Sequence, residues 1–270
     1  MDRRLTPATA RVAHVSLQGQ VDADRFTEGE VWQIAAPLAD LLRSPNGARE
    51  RQVWLGEDFT VIDRDQGHAF GFMAKDGYCG WLPEPVLAQG PKVTHWVASP
   101  GTHLYPEPRV QSREISALPM GARLAVLGQV GNWAESSQGF VPTRHLLPIG
   151  QWCDDPVQVA EAFLGTPYLW GGNSRAGCDC SGLVQLAHHA CGIALPGDAD
   201  LQEGAGQVVQ GEFRRGDLLF WKGHVALAVD AERLIHANGH TMSVAHEGIA
   251  DCIARIEAAE GLTLRSHRRL

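Results

Sequence analysis

The chain has 270 residues, of which 44% are hydrophobic and 20% are charged. These fractions are typical of globular proteins and exclude wholesale disorder, and the length favours about two domains or three small ones. The chain contains 23 Lys and Arg residues and 31 Asp and Glu residues, which gives a net charge of −8. A nucleic-acid partner is therefore disfavoured, because such proteins usually carry a basic excess.

The six cysteines form no Cys-x-x-Cys pair and no Cys/His cluster with zinc-ligand spacing. We therefore expect free thiols in a reducing compartment, no bound metal and no cofactor. The N-terminal residues show charge but no apolar run of signal-peptide length, and no stretch of about 18 apolar residues occurs anywhere. We predict a cytoplasmic protein with no membrane span.

A weak internal repeat organises the first half of the chain. Three short segments recur in the same order in both copies. In the first copy they are 41–45, 56–62 and 80–83, and in the second they are 104–108, 121–127 and 139–142. Short β-rich runs broken by Gly and Pro predict a small β-barrel of roughly 60 residues for each copy. We place a polar N-terminal arm at 1–27, the first barrel at 28–90 and the second barrel at 91–150, with an additional segment at 75–78 in the first copy.

After residue 150 the pattern changes to helices followed by strands. Asp155 and Pro156 predict a helix start, and a second helix is predicted to begin after Asp179 and to end near Gly192. Four β-rich runs follow, at 218–221, 225–229, 233–236 and 242–244. This order predicts an α+β domain over 151–270.

Cys180 is the residue most in need of explanation in this domain. It follows Asp179, a good N-cap residue, so it is predicted in the first helical turn, where backbone N–H groups and the helix dipole favour a thiolate. Ser181 and Gly182 are small and leave space for a substrate. A buried structural cysteine is the alternative, because cysteine is among the most buried residue types.

A cysteine nucleophile needs a base, and the base needs an orienting group. His224 opens one predicted strand and His236 lies twelve residues later on the next. Antiparallel pairing of these strands would place the two imidazoles side by side. A chance pair is the alternative, since the chain contains 12 histidines.

Five motifs in order resemble the NlpC/P60 family of cysteine peptidases over about residues 152–256. They are GTPYLWGG at 165–172 with CDCSGLVQ at 178–185, LPGDADLQ at 195–202, RGDLLFW at 215–221, GHVA at 223–226 and LIHA at 234–237. The duplicated β modules ahead of them resemble bacterial SH3 domains. The resemblance implies an α+β, papain-like NlpC/P60 catalytic domain preceded by two small SH3-like β-barrels, acting on bacterial cell-wall peptides.

The resemblance also implies roles for single residues. Cys180 corresponds to the nucleophile, His224 to the base and His236 to the orienting residue. Tyr168 corresponds to a family tyrosine at the oxyanion site, where its phenol would act beside the backbone N–H of Cys180. The alternative for Tyr168 is a core aromatic residue.

A subgroup with two SH3-like modules is similar to γ-D-glutamyl-L-diamino acid endopeptidases that require a free N-terminal L-Ala. In that subgroup the first module closes the cleft and binds the ammonium, and the matching positions here are Glu50, Tyr78 and Asp198. Asp179 and Ser181, beside the thiol, complete the candidate substrate-binding set. The chain departs from the family pattern at Gly197, where Arg is frequent, and at Cys178, where a bulky apolar residue is usual.

These features predict a cytoplasmic cysteine endopeptidase that cuts the γ-D-glutamyl–diamino acid bond of peptidoglycan-derived peptides during recycling. One alternative is a secreted cell-wall hydrolase anchored by its SH3-like domains. Another is a non-catalytic protein that binds wall peptides, and a more distant one is acyl transfer on the same fold. The Cys180, His224 and His236 set argues against a purely binding role.

Overall fold

The computed structural model describes residues 1–270, which form two compact units, Met1–Ile149 and Gly150–Leu270. Unit 1 is built almost entirely from strands, and unit 2 combines helices with a six-stranded sheet. The predicted fold class, an α+β domain preceded by SH3-like β modules, is confirmed. None of the helices has the length and apolar character needed to cross a bilayer.

Unit 1 contains seventeen strands and four single-turn 3-10 segments. In chain order the strands are β1 (Val12–His14), β2 (Arg25–Thr27), β3 (Glu30–Ile34), β4 (Leu38–Leu42), β5 (Arg49–Trp54), β6 (Asp58–Asp65), β7 (His68–Met73), β8 (Cys79–Pro83), β9 (Leu87–Ala88), β10 (His95–Val97), β11 (Gly101–Leu104), β12 (Ser116–Pro119), β13 (Arg123–Leu124), β14 (Val126–Val130), β15 (Trp133–Ser136), β16 (Gly139–Pro142) and β17 (Leu146–Pro148). The 3-10 segments are Arg3–Leu5, Val15–Leu17, Glu84–Val86 and Thr143–His145.

The first module is a seven-stranded sheet in the order β5-β4-β8-β7-β6-β3-β9. It closes over buried apolar side chains that include Leu41, Phe59, Met73 and Leu82. The second module forms a three-stranded sheet in the order β13-β10-β17, another in the order β14-β15-β16, and the hairpin β11-β12.

The repeat seen in the sequence has the same backbone hydrogen bonds in both copies. Gly56 N donates to Ile34 O at 2.8 Å in the first, and Gly121 N donates to Val97 O at 2.9 Å in the second. Both glycines have positive φ, which other residues rarely adopt. In each copy the last Gly-aromatic-x-Pro strand runs into a 3-10 turn and a short strand that pairs with the module's first strand.

The two modules contact each other closely through these turns. Arg123 N donates to Leu55 O at 2.7 Å. A Cβ at Gly56 would lie 2.4 Å from the Arg123 carbonyl oxygen, and one at Gly121 would lie 2.6 Å from the Trp54 ring. Only glycine fits at either position, so one module packs against the Arg123 backbone and the other against the Trp54 ring.

The N-terminal arm is ordered against the first module. Its strand β1 pairs with β2 in parallel, and Arg11 and Thr9 both donate to the largely buried carboxylate of Asp63. Strand β1 ends at His14, where a 3-10 turn begins.

Unit 2 contains four α-helices and eight strands. In chain order they are α1 (Pro156–Glu161), β18 (Asn173–Ser174), β19 (Gly177–Cys178), α2 (Cys180–Ala190), α3 (Ala199–Gln202), β20 (Gln207–Val208), β21 (Leu218–Trp221), β22 (His224–Ala228), β23 (Arg233–Asn238), β24 (Ser243–Gly248), α4 (Ile249–Glu260) and β25 (Ser266–Arg269). The main sheet has the order β20-β25-β21-β22-β23-β24.

The predicted helix starts are confirmed. Asp155 caps α1, whose first residue is Pro156, and Asp179 caps α2 by accepting from Gly182 N at 2.7 Å. Helix α2 contacts β22 and β23. Helix α4, which we did not predict, covers an apolar cluster that includes Trp221, Leu234, Cys252 and Ile256.

Candidate active site

Cys180 is the first residue of α2 and is only 6% exposed. The backbone N–H groups of Val225, of Ser181 and of Cys180 itself are near enough to its thiol to lower the thiol pKa. Val225 directly follows His224 on β22, so the thiol lies against the strand that carries the predicted base. The helix start and the strand start thus bring the two candidate residues together.

The lowered thiol pKa expected for Cys180 is wrong for the structure as it stands. Burial, together with the nearby carboxylate of Asp179, raises the pKa of Cys180 to about 12. The backbone N–H groups of Val225 and Ser181 lower it, but they do not overcome the loss of solvent. The thiol therefore rests as a neutral group and must transfer its proton as it attacks.

His224 and His236 form the predicted imidazole pair. Strands β22 and β23 pair antiparallel, and His224 Nε2 lies 2.9 Å from His236 Nδ1. Burial lowers the pKa of His224 to about 3 and that of His236 to about 4. Both rings are therefore neutral at rest, and a neutral imidazole is what a base needs to accept the thiol proton.

Behind His236 lie three further groups that sequence reasoning missed. Glu247 Oε2 is 3.2 Å from His236 Nε2, an ion-pair distance without hydrogen-bond alignment. Arg255 donates to both Glu247 oxygens at 2.8 and 2.7 Å, and this pairing lowers the pKa of Glu247. Cys252 Sγ is 3.7 Å from Arg255 Nη2.

The donor atoms of His236, Glu247 and Cys252 lie within 4.8 Å of one another, a grouping that invites a test for metal binding. Arg255 already neutralises Glu247 through two hydrogen bonds and also contacts Cys252. A guanidinium at this position repels a metal cation, so the donor set does not fit a metal ion.

Tyr168 lies beside the thiol. Burial raises the pKa of its phenol, and the neighbouring Cys180 contributes to that shift. Its backbone N–H donates to Met242 O at 2.9 Å, in the turn between β23 and β24, and its segment bridges to Cys178. The phenol thus stays protonated and can donate a hydrogen bond, as an oxyanion-site residue must.

Asp179 and Ser181 have local structural partners. Asp179 Oδ2 accepts from Gly171 N at 2.8 Å and Oδ1 caps α2, so this carboxylate ties the glycine-rich loop to the helix. Ser181 Oγ donates to Asp179 at 3.3 Å, and its carbonyl accepts from buried Gln202. Asp198 is half-buried at the N-cap position of α3, where its side chain makes no capping hydrogen bond.

Glu50 and Tyr78 lie in unit 1 and share one neighbour, Arg3. The guanidinium donates to both Glu50 oxygens, and the Tyr78 phenol contributes to the raised pKa of Arg3. Tyr78 is 2% exposed, and the Arg51 guanidinium lies 4.9 Å from the centre of its ring. The carboxylate predicted to bind an ammonium group therefore already holds a cation.

A cavity of about 460 Å³ opens beside His224. Its lining includes Trp221, Asn238, His240, Arg255 and Glu260. Trp221 is 1% exposed and its indole N–H is buried without a hydrogen-bond partner. The cavity therefore lies next to the predicted base, with the largely buried Trp221 ring in its wall.

Two family models match the chain. One is described as the NlpC/P60 family and matches residues 165–251, and the other, described as the bacterial dipeptidyl-peptidase SH3 domain, matches residues 41–87. A γ-D-glutamyl-L-lysine dipeptidyl-peptidase from Bacillus subtilis is 31% identical over 217 residues, covering 70% of this chain and 72% of the relative. A protein of the same name from Bacillus cereus is 29% identical over 243 residues, covering 76% and 72%.

A solved structure has the same fold. The crystal structure of an NlpC/P60 family protein from Bacillus cereus matches with a TM-score of 0.77 at 21% identity, covering 89% of this chain and 99% of that one. The family model and the similar dipeptidyl-peptidases define the class of this protein as a cysteine peptidase. This chain belongs to the NlpC/P60 family.

Proposed function

We propose that the protein hydrolyses the γ-D-glutamyl–diamino acid bond of peptidoglycan-derived peptides that carry a free N-terminal L-Ala. The observation that carries the proposal is the approach of the Cys180 thiol to the backbone of Val225, next to the His224–His236 pair. The names of the two similar dipeptidyl-peptidases support the choice of bond.

The chemistry proceeds in two halves. Cys180 Sγ attacks the γ-carbonyl carbon while its proton passes to His224, and Tyr168 with the Cys180 N–H stabilises the oxyanion. The C–N bond then breaks, His224 returns the proton to the departing α-amine, and a thioester remains. Water adds to the thioester as His224 accepts a proton, and the thiol is restored as L-Ala-γ-D-Glu leaves.

His236 orients His224 during both halves. Its Nδ1 lies 2.9 Å from His224 Nε2, which leaves His224 Nδ1 for the thiol. When His224 becomes an imidazolium, its Nε2–H donates to His236. The pair thus holds the base in one tautomer and partly delocalises the proton's charge.

The cavity beside His224 suits the product that leaves first. Since His224 protonates the departing amine, the diamino acid lies on this side of the imidazole. Arg255 lines this cavity, so its positive charge would favour a carboxylate of the departing residue. The exposed carboxylate of Glu260 is available for a side-chain ammonium.

We assign recognition of the free N-terminal amine of the substrate to the carboxylates of Glu50 and Asp198. Glu50 pairs with the cation of Arg3, and Asp198 is half-buried at the start of α3. A partly desolvated ammonium group requires such acceptors. We assign the protein to recycling of released wall peptides in the cytoplasm, a role that its six free thiols support.

The test is incubation with L-Ala-γ-D-Glu-diamino acid peptides, with and without an acetylated N-terminus, read by mass spectrometry. We expect cleavage only at the γ-D-glutamyl bond, with kcat/KM at least about a hundredfold lower for the acetylated peptide, since ~1.4 kcal/mol is tenfold. Equal cleavage of both peptides would favour a wall-anchored hydrolase. Binding of the peptides without cleavage would favour a non-catalytic binding protein.

A further inference from the structure

The chain of contacts at the active site does not end at His236. From His224 Nε2 it passes to His236 Nδ1 at 2.9 Å, from His236 Nε2 to Glu247 Oε2 at 3.2 Å, and from Glu247 to Arg255 at 2.7 Å. Four structural elements supply it: the adjacent strands β22, β23 and β24 carry the first three residues, and α4 carries Arg255.

We propose that Glu247 is a positioning residue that acts through His236 to stabilise the imidazolium formed at His224, and that Arg255 limits this effect. The proposal rests on the proposed function for its reaction. Its geometry is independent of substrate identity, because every distance in it joins side chains of unit 2.

The position of Glu247 suits such a role. His236 is 1% exposed, so water cannot solvate the part of the imidazolium charge that His224 shares with it. Glu247 supplies the compensating negative charge at 3.2 Å. Arg255 fixes both oxygens of the carboxylate, so Glu247 cannot rotate away from the ring.

Other charged and titratable groups around His236 do not replace Glu247. His224 lies on β22, Arg255 and Cys252 lie on α4, and His240 lies in the turn after β23. Arg255 and His240 oppose a charge on His236, and burial raises the pKa of Cys252 to about 12, so that thiol stays neutral. Glu247 is thus the one group of this set that favours the imidazolium.

Glu247→Gln and Arg255→Gln test the proposal, because they should act in opposite directions. The first measurement is the rate at which iodoacetamide alkylates Cys180, followed by mass spectrometry of its peptide as a function of pH. It requires no peptide substrate. We expect Glu247→Gln to slow alkylation near neutral pH about tenfold or more, because the thiolate forms with an imidazolium partner. Arg255→Gln removes the positive charge that opposes the imidazolium, and the Gln amide can still donate one hydrogen bond to Glu247, so this variant should accelerate alkylation.

The second measurement is peptide turnover. Glu247→Gln should lower kcat about tenfold with little change in KM and should move the pH profile of kcat/KM to lower pH. Glu247→Asp retains the charge and should keep the wild-type pH position. The matched control is Glu161→Gln, because Glu161 also lies beside a histidine, 3.3 Å from His246 Nε2, and 3.9 Å from Arg215.

The outcomes separate the two proposals. Absence of peptide cleavage by the wild-type protein, with opposite alkylation shifts in the two variants, would overturn the proposed function and keep the role of Glu247. Alkylation and pH profiles of Glu247→Gln that superimpose on wild type would overturn the role of Glu247. Equal slowing in both variants, with no shift along the pH axis, would also overturn it, because that result indicates disrupted packing.

Discussion

Arg3 and Glu50 form a two-pronged ion pair, in which the two guanidinium nitrogens of Arg3 lie 2.6 and 2.5 Å from the two Glu50 oxygens. The pair joins the N-terminal arm to β5. The Glu50 side chain is 12% exposed and that of Arg3 is 49% exposed. If Glu50 also binds the ammonium group of the substrate, Arg3 competes with that ammonium for the same oxygens.

Removal of Arg3 should therefore strengthen binding of the substrate ammonium group. We expect Arg3→Ala to lower KM for free-amine peptides severalfold while kcat changes little, because the competing cation is gone. Arg4→Ala is the control, since Arg4 pairs with Asp2 inside the arm. An unchanged KM combined with a lower melting temperature would mean that the ion pair only anchors the arm.

Cys180→Ala should abolish peptide cleavage and leave the fold intact. The thiol is the only atom of this side chain that the proposed reaction uses, and the helix that begins here is held by the Asp179 cap. Cys178→Ala is the matched control, because Cys178 is equally buried two residues away and should remain active. Near-wild-type turnover by Cys180→Ala would exclude the nucleophile assignment.

His224→Ala should be nearly as severe as loss of the thiol, because nucleophile and base act as a unit. His236→Ala should be milder, since water can replace part of an orienting residue. Steady-state kinetics on the free-amine peptide measures each effect, and exposed His103→Ala in unit 1 serves as the control. Full activity in His224→Ala with none in His240→Ala would show that the base is the other imidazole.

Selection for the free amine should weaken in Glu50→Gln and in Asp198→Asn. Each substitution removes a charge-assisted acceptor, a contribution of roughly 1.5–3 kcal/mol before desolvation. The ratio of kcat/KM for free over acetylated peptide should therefore fall in each variant. A proportional loss on both peptides, at an unchanged ratio, would count against amine binding by that carboxylate.

Acid should destabilise unit 2 through its buried imidazoles. The folded-state pKa values of His224 and His236 are lowered to about 3 and about 4, whereas an unfolded histidine titrates near 6.5. Between these values the unfolded chain binds more protons, so stability is lost as the pH falls, by up to about 1.4 kcal/mol per pH unit and imidazole.

Urea unfolding midpoints near pH 7 and near pH 5 measure this effect. The wild-type midpoint should fall on acidification, and a His224→Gln, His236→Gln double variant should show a shallower dependence. His240→Gln, which removes an exposed imidazole, should retain the wild-type slope. A double variant with an undiminished slope would assign the acid sensitivity to other groups.

The sequence predicted those parts of the structure that depend on local signals. Asp155-Pro156 and Asp179 marked helix starts because capping chemistry is local. The His224–His236 contact was predictable because antiparallel pairing of two consecutive strands fixes which side chains are neighbours on one face of the sheet. The SH3-like repeat was visible because Gly56 and Gly121 fill the same strained turn.

Features that depend on long-range packing were not predictable in this way. Helix α4 was missed although its apolar face covers β21 and β23, and with it the Arg255 partner of Glu247. The thiol pKa of Cys180 was misjudged because the capped helix start is local, whereas the burial that raises the pKa depends on the whole unit. The partner of Glu50 lies 47 residues away, so no pattern around Glu50 indicated it.

The close contact between the two SH3-like modules restricts how the chain can recombine during evolution and how it can be engineered. Gly56 contacts Arg123, and Gly121 contacts Trp54. Each module therefore needs the other to cover the surface at which these residues lie. The two modules should therefore be exchanged together in a chimaeric protein. Recombination between the copies would separate them and expose the indole ring of Trp54. Pulled from its ends, unit 1 should yield in a single mechanical event instead of two.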